Sequence, residues 1–195
     1  MPRPTSNAPT SAQQRLIDAA AELFYNDGIT ATGIDAIVKQ AGVAKKSLYN
    51  NFASKAALVA TYLEVRHAEW LDLYAARLLK ANTSKDRVLA VFLAYEDHAE
   101  HAYTRGFRGC GLLNAAAELP ADDAGRAVVR QHKQQIEGLL ADHLNELFHD
   151  PERAKQLAQH LAFLLEGAMA RAGLEGRSDC LHHARAMASA MLEAS

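Results

Sequence analysis

Lys45, Lys46, Ser47, Tyr49, Asn50 and Asn51 crowd into one seven-residue stretch and carry ammonium, hydroxyl and amide donors. Lysine donates to guanine, asparagine pairs with adenine, and each of these donors can meet a phosphate oxygen. Between Ala36 and Leu63 there are four lysines and no Asp or Glu, as suits a surface held against phosphates. Two short helices must position these groups. Thr32 can N-cap the first, which carries Ile34, Ile37 and Val38 toward a core. Ala41-Gly42-Val43 supplies the turn, where Gly42 tolerates a positive φ. The second, from Ala44 to Phe52, buries Leu48 and Phe52 and turns the donors outward. Short helices crossing at a tight turn, the second rich in donors, form a helix-turn-helix, the reader of the DNA major groove.

The residues around this unit follow a longer pattern: Gly28, Ala31-Thr32, Ile34, Ala41-Gly42-Val43, Leu48-Tyr49, Phe52, Ser54-Lys55 and Leu58. In this the segment resembles the DNA-binding head of the TetR family of transcriptional regulators. Ala44 departs from that pattern where Ser is usual, Lys46 where Gly or Ala is usual, and Ala56 where Glu often follows Ser-Lys. The resemblance implies a DNA surface made of Thr32, Gly33, Ala44, Lys45, Lys46, Ser47, Tyr49, Asn50, Asn51 and Lys55. Tyr49 and Lys55 would be the phosphate contacts, the latter from a helix N-terminus that itself favours phosphate.

Net charge over the whole chain is −2, but it is unevenly spread. Residues 1–55 hold six Lys/Arg and four Asp/Glu, so the head is +2 and the remainder −4, and all nine histidines lie after residue 66. Apolar residues make up 49% of 195 residues, enough for one or two small helical domains with a sizeable core. No apolar run would span a bilayer, no signal peptide opens the chain, and two cysteines are too few for a disulfide framework. A cytoplasmic protein is expected.

Hydrophobic periodicity predicts an all-α chain of about nine helices. Three form the head over 11–55, after a disordered arm over 1–10, and the rest form a ligand-binding and dimerisation domain over 56–195. Ser11 and Gln14 predict a capping box for the first helix, with Leu16, Ala20, Leu23 and Phe24 on its inner face. Ser54 caps a fourth helix reaching about Lys80, and a fifth runs from Lys85 to about Tyr103. Three glycines punctuate 104–111 before a short helix through Leu119. Pro120 opens a long seventh helix with a seam of Val128, His132, Ile136, Leu139, His143 and Leu147. Pro151 starts the eighth, which Gly173 to Arg177 ends, and a ninth follows from Ser178.

The resemblance implies that the last two long helices pair with their symmetry mates. Leu157, Leu161, Leu164, Leu165, Ala168, Met187 and Met191 are the expected dimer residues. Two matched heads would span the halves of a palindromic operator, which one head could not specify. The body would hold a small-molecule effector, with Trp70, Tyr74, Phe92, Tyr95, His98, Phe107, Cys110, Asn114, His132, His143 and Met169 as lining candidates. Phe107 to Leu119, FRGCGLLNAAAEL, resembles a form found in one large subset of the family, and Cys110 within it raises the idea of a thiol switch. A buried, inert cysteine accounts for it as well.

The expected function is therefore a transcriptional regulator, a repressor released by its effector, with a TetR-type activator as the alternative within the class. Glu64-x-x-His67 and Glu146-x-x-His149 raise a rival from another class, a di-iron helical bundle. His149 falls at a helix end, and neither glutamate lies on its helix's apolar seam. No cofactor is expected. The chain holds no nucleophile elbow, phosphate-binding glycine loop or dinucleotide fingerprint, so its motifs point away from an enzyme.

Overall fold

In the computed structural model, residues 11–101, 103 and 105–193 are described. The arm expected over 1–10 lies outside them. Among the described residues there are nine helices and no strand. They are α1 (Ala12–Asp27), α2 (Ile34–Ala41), α3 (Lys45–Asn51), α4 (Lys55–Leu78), α5 (Ser84–Ala99), α6 (Gly111–Glu118), α7 (Ala124–Phe148), α8 (Pro151–Glu175) and α9 (Asp179–Glu193). The all-α expectation holds. The chain divides into a head ending at Tyr62 and a body beginning at Leu63. That border falls inside α4, seven residues beyond the expected one, where a continuous helix leaves no compositional break to read.

In the head, α1, α2 and α3 enclose Leu16, Ala20, Phe24, Ile37, Val38, Leu48 and Phe52. The first turns of α4 add Leu58, Val59 and Tyr62, whose ring meets Phe24 edge-on at 5.4 Å. Gly42 caps α2 at φ 62 and returns its N–H to the Lys39 carbonyl, the left-handed turn that its lack of a Cβ makes cheap. Ser54 accepts from the Ala57 N–H, as its capping role requires. Two capping expectations fail. Ser11 accepts from Gln14 N–H, but the Gln14 amide donates forward to the Asp18 carboxylate at 2.8 Å instead of back to Ser11. Gly33, not Thr32, stands at the N-cap of α2, and the buried Thr32 hydroxyl donates to the Gly28 carbonyl at 2.6 Å.

In the body, α7 packs against α5 and α8, α9 against α5 and α8, and α6 against α7. The core they enclose includes Val88, Phe92 and Tyr95 on α5, Ile136, Leu140 and Leu144 on α7, and Leu161, Leu165 and Met169 on α8, all nearly or fully buried. Val128, Leu139 and Leu147 are only half-buried, so the seam of α7 is turned one residue toward Val129, Leu140 and Leu144. Thr83 and Asp86 form a capping box that starts α5, and Glu100 ends it before Tyr103. Asp123, three residues after Pro120, caps α7. Asp150 caps α8 with Pro151 in its first turn, as expected.

Gly173 does not end α8; the helix continues to Gly176, its left-handed cap at φ 69. A Cβ at Gly173 would lie 2.7 Å from both the backbone nitrogen and Cα of Gly109. The glycine is there because the segment leading into α6 crosses α8 backbone to backbone. Gly173→Ala should therefore destabilise the body by about 1–3 kcal/mol, more than offsetting the gain of about 1 kcal/mol that Ala brings inside a helix. Thermal denaturation checks this; an unchanged or raised midpoint would show that the crossing yields freely.

Candidate nucleic-acid interface and body cavity

Burial of Leu48 fixes which way α3 faces. With that residue fully enclosed, Lys45, Lys46, Tyr49, Asn50 and Asn51 are exposed and Ser47 is half-buried. Tyr49 stands 53% exposed, too much for the core role that an aromatic usually fills. The donors are not all free. Lys45 pairs with Asp35 at the start of α2 at 2.8 Å, and this bond with its carboxylate raises the lysine's pKa. Asn51 donates to the Ser47 carbonyl at 2.7 Å, one turn back. Lys55 donates to the Ile29 carbonyl at 2.5 Å, so one of its three N–H groups ties α4 to the loop after α1. Gly33 and Ala44 are exposed at the N-caps of α2 and α3, with no side-chain cap at either. Thr32, 3% exposed, offers no side chain to DNA; its hydroxyl is spent inside the head.

The body brings five of the eleven lining candidates to one small cavity. Trp70 from α4, Tyr95 and His98 from α5, Cys110 at the N-cap of α6 and His132 from α7 surround it, with Arg66, Gly111 and Leu112. It measures about 10 Å³, room for about one water. Trp70 lies 5.3 Å from the Tyr95 ring and 5.6 Å from that of His132. Tyr74 stacks on Trp70 and bonds His143 through its hydroxyl at 2.6 Å, but neither reaches the cavity. Phe92 and Met169 are core residues without exposure. Phe107 packs near His98, and the Asn114 amide donates to the Arg108 carbonyl, which holds the start of α6.

A polar network adjoins the cavity. Lys133 Nζ lies 2.7 Å from Glu166, 3.2 Å from the Tyr95 hydroxyl and 3.8 Å from Cys110 Sγ. Burial pulls this lysine's pKa down, yet Tyr95, Cys110 and Glu166 outweigh burial and hold it above the ordinary value. His67 and His132 meet Nδ1 to Nδ1 at 2.8 Å, so one ring donates to the other. Sequence reasoning missed Lys133, Glu166 and Arg66, and gave His67 a place only in the di-iron motif. Arg66 alone left a signal, one helical turn before Trp70 and hence on its face.

Burial, with Arg66, His101 and Lys133 nearby, lowers the His98 pKa to about 3. Burial, with Lys133, His67 and His98, does the same for His132, to about 3. Both rings are neutral in the fold, whereas the unfolded chain protonates them below about pH 6.5. Stability should thus be flat above that value and fall as the pH drops toward 3, each ring contributing up to about 1.4 kcal/mol per pH unit. Thermal melts from pH 7 to about 5, above the carboxylate range, check this, and His132→Gln should make the slope shallower. An unaltered slope would place the acid sensitivity elsewhere.

The di-iron arrangement is not formed. His149 is the left-handed cap ending α7, and the Glu146 carboxylate is taken by Arg87 and Ser84. Among the described residues no group of three His, Cys, Asp or Glu side chains is placed to hold a metal. Nor is any described helix long and apolar enough to cross a membrane.

A family model for bacterial regulatory proteins of the tetR family matches residues 16–62, which include every DNA-facing candidate. A second, for the C-terminal domain of LmrA/YxaF-like transcriptional regulators, matches residues 88–187. The transcriptional regulator AcuR of Cereibacter sphaeroides is 31% identical over 182 residues, covering 88% of this chain and 80% of that protein. The HTH-type transcriptional activator FasR of Mycolicibacterium smegmatis is 36% identical over 95 residues, 48% of this chain and 42% of that one. The crystal structure of a TetR-family transcriptional regulator from Streptomyces coelicolor superposes with a TM-score of 0.83 at 27% identity. That match covers 93% of this chain and 95% of the other.

Proposed function

This chain belongs to the TetR family of bacterial regulatory proteins and is a DNA-binding transcriptional regulator; on that premise we propose that it is a homodimeric repressor, released from a palindromic operator by a small molecule. The observation that carries the DNA part is the outward set of donors on α3 above the buried Leu48. Lys46, Tyr49 and Asn50 are the foremost contacts, with Lys45 freed from Asp35 as phosphate approaches. Lys55 reaches phosphate with the N–H groups that Ile29 leaves it.

Dimerisation falls to a different face of α8 from the one expected, while Met187 on α9 keeps its expected place. Leu157, Leu161, Leu165 and Ala168 are buried within the chain, and Leu164 and Met191 are half-buried. The outer face of α8 exposes Phe163, Gly167, Ala170 and Leu174 at helical spacing, and α9 exposes Ala186, Met187 and Ala190. Phe163 at 64%, Leu174 at 89% and Met187 at 55% are costly to leave in water, and a second copy covers them by two-fold symmetry. The effector occupies the cavity beside Trp70 and His132, while His143 serves Tyr74. DNA favours one arrangement of the two heads and the effector another, so each weakens the other's binding. No catalytic step enters this reading, and the protein works in the cytoplasm, where the chromosome is.

The test is to map where the protein sits on its own chromosome and to measure transcription of the adjoining genes after its deletion. Increased transcripts support repression. Decreased transcripts make it an activator, as FasR is named, and the absence of specific sites removes the reading.

A further inference from the structure

We propose that the cavity between α4, α5, α6 and α7 takes the carboxylate of a small organic acid with a short apolar stem. This rests on the reading of that cavity as the effector site. The argument is an inventory of the lining. Arg66 and Trp70 are obligate donors; Tyr95, His98, Cys110 and His132 can donate or accept, and Gly111 and Leu112 supply backbone and methyl groups. No carboxylate lines it. Glu69, which pairs with Arg66 at 2.7 Å, and Glu166, which pairs with Lys133, both lie outside the lining.

Trp70 is 4% exposed, and its indole N–H has no acceptor among the described residues. A buried donor left without a partner costs about 1–3 kcal/mol, which a ligand oxygen would recover. The Arg66 guanidinium spends one nitrogen on Glu69 and keeps further N–H groups for an anion, and its side chain, 17% exposed, still reaches water. A cation would find no counter-charge here, and a neutral amide would bring donors where donors already abound. The stem meets the Leu112 side chain and the rings of Trp70 and Tyr95.

An acid does not fit the cavity as it stands, with room for about one water. It must widen the wall made by Cys110, Gly111 and Leu112. It therefore binds the widened form better, and such differential affinity is what allows a ligand to shift a population.

Trp70 is the chain's single tryptophan, so intrinsic fluorescence of the full-length protein reads the cavity directly. Propionate and butyrate are titrated against propionamide and n-propylammonium at constant pH and ionic strength. The acids should give a saturable change that the amide and the amine do not, and Arg66→Gln should weaken it about tenfold or more. Leu112→Phe, which fills the stem's place and leaves every donor intact, should also block binding. Equal response to the amine or amide, no saturable response to either acid, or two folded variants that bind acids like wild type would overturn the proposal. The same acids are added to the protein–operator complex. Acid binding without release keeps the ligand class and removes the effector role; release by a neutral compound, with no acid bound, does the reverse.

Discussion

Leu165→Glu is expected to unfold the body, while Phe163→Glu, two residues earlier on α8, is expected to leave it folded and separate the two copies. Leu165 is 1% exposed in the core of the body, and the cation of that region, Lys133, is already paired with the adjacent Glu166. Burying an unpaired carboxylate costs several kcal/mol, a large part of the roughly 5–15 kcal/mol that holds a domain of this size together. Phe163 points the other way and is 64% exposed in the single chain. A glutamate there is solvated in the monomer, but two-fold symmetry sets it against the partner's apolar face and near its own copy. Helical circular dichroism and sedimentation separate the two effects. Phe163→Glu should keep its helical signal and sediment as a monomer at micromolar concentration; Leu165→Glu should lose cooperative melting. A Phe163→Glu protein that remains dimeric would move the interface off the outer face of α8, and Leu165→Glu melting like wild type would contradict the packing itself.

In the head, Lys46→Ala and Asp35→Ala should act in opposite directions on operator binding. Lys46 is exposed at the start of α3 and makes no ion pair among the described residues, whereas Lys45 is held by Asp35. Losing Lys46 should weaken binding by about tenfold or more per head, as the loss of a base or phosphate contact does, and the two heads of a dimer compound the effect. The salt dependence should become shallower by about two for the dimer if the contact is to phosphate. Asp35→Ala removes the carboxylate that competes for Lys45, and because an exposed, solvent-screened pair of this kind is weak, binding should tighten by a few-fold at most. Fluorescence anisotropy with the operator across a range of salt reads both. Unchanged affinity and slope in Lys46→Ala would take this lysine out of the interface.

The head was legible in the sequence because its information is local. Gly42 at the turn, Leu48 and Phe52 inward, and the donors between them are fixed by spacing within three short helices and a positive φ, and the fold places each as the pattern requires. Caps at Ser54 and Asp150 belong to the same class, since a side chain satisfies a backbone group only a few residues away. The body yielded its helices but not their roles. Helix α8 is apolar on two faces, and periodicity alone cannot tell the face that meets α7 from the face left exposed. Leu157, Leu161 and Leu165 went to the first and Phe163 and Leu174 were left for the second by the positions of α5, α7 and α9. Gly173 read as a helix end because its cause, the backbone of Gly109, lies 64 residues away in the chain. Lys133 left no sign in the sequence because Glu166 and Cys110 are brought to it from remote segments. Short-range pattern determined the helices, several of their caps and the outward donors of α3. Only tertiary packing decided which apolar face is core and which polar groups share a cavity, because both depend on neighbours remote in sequence.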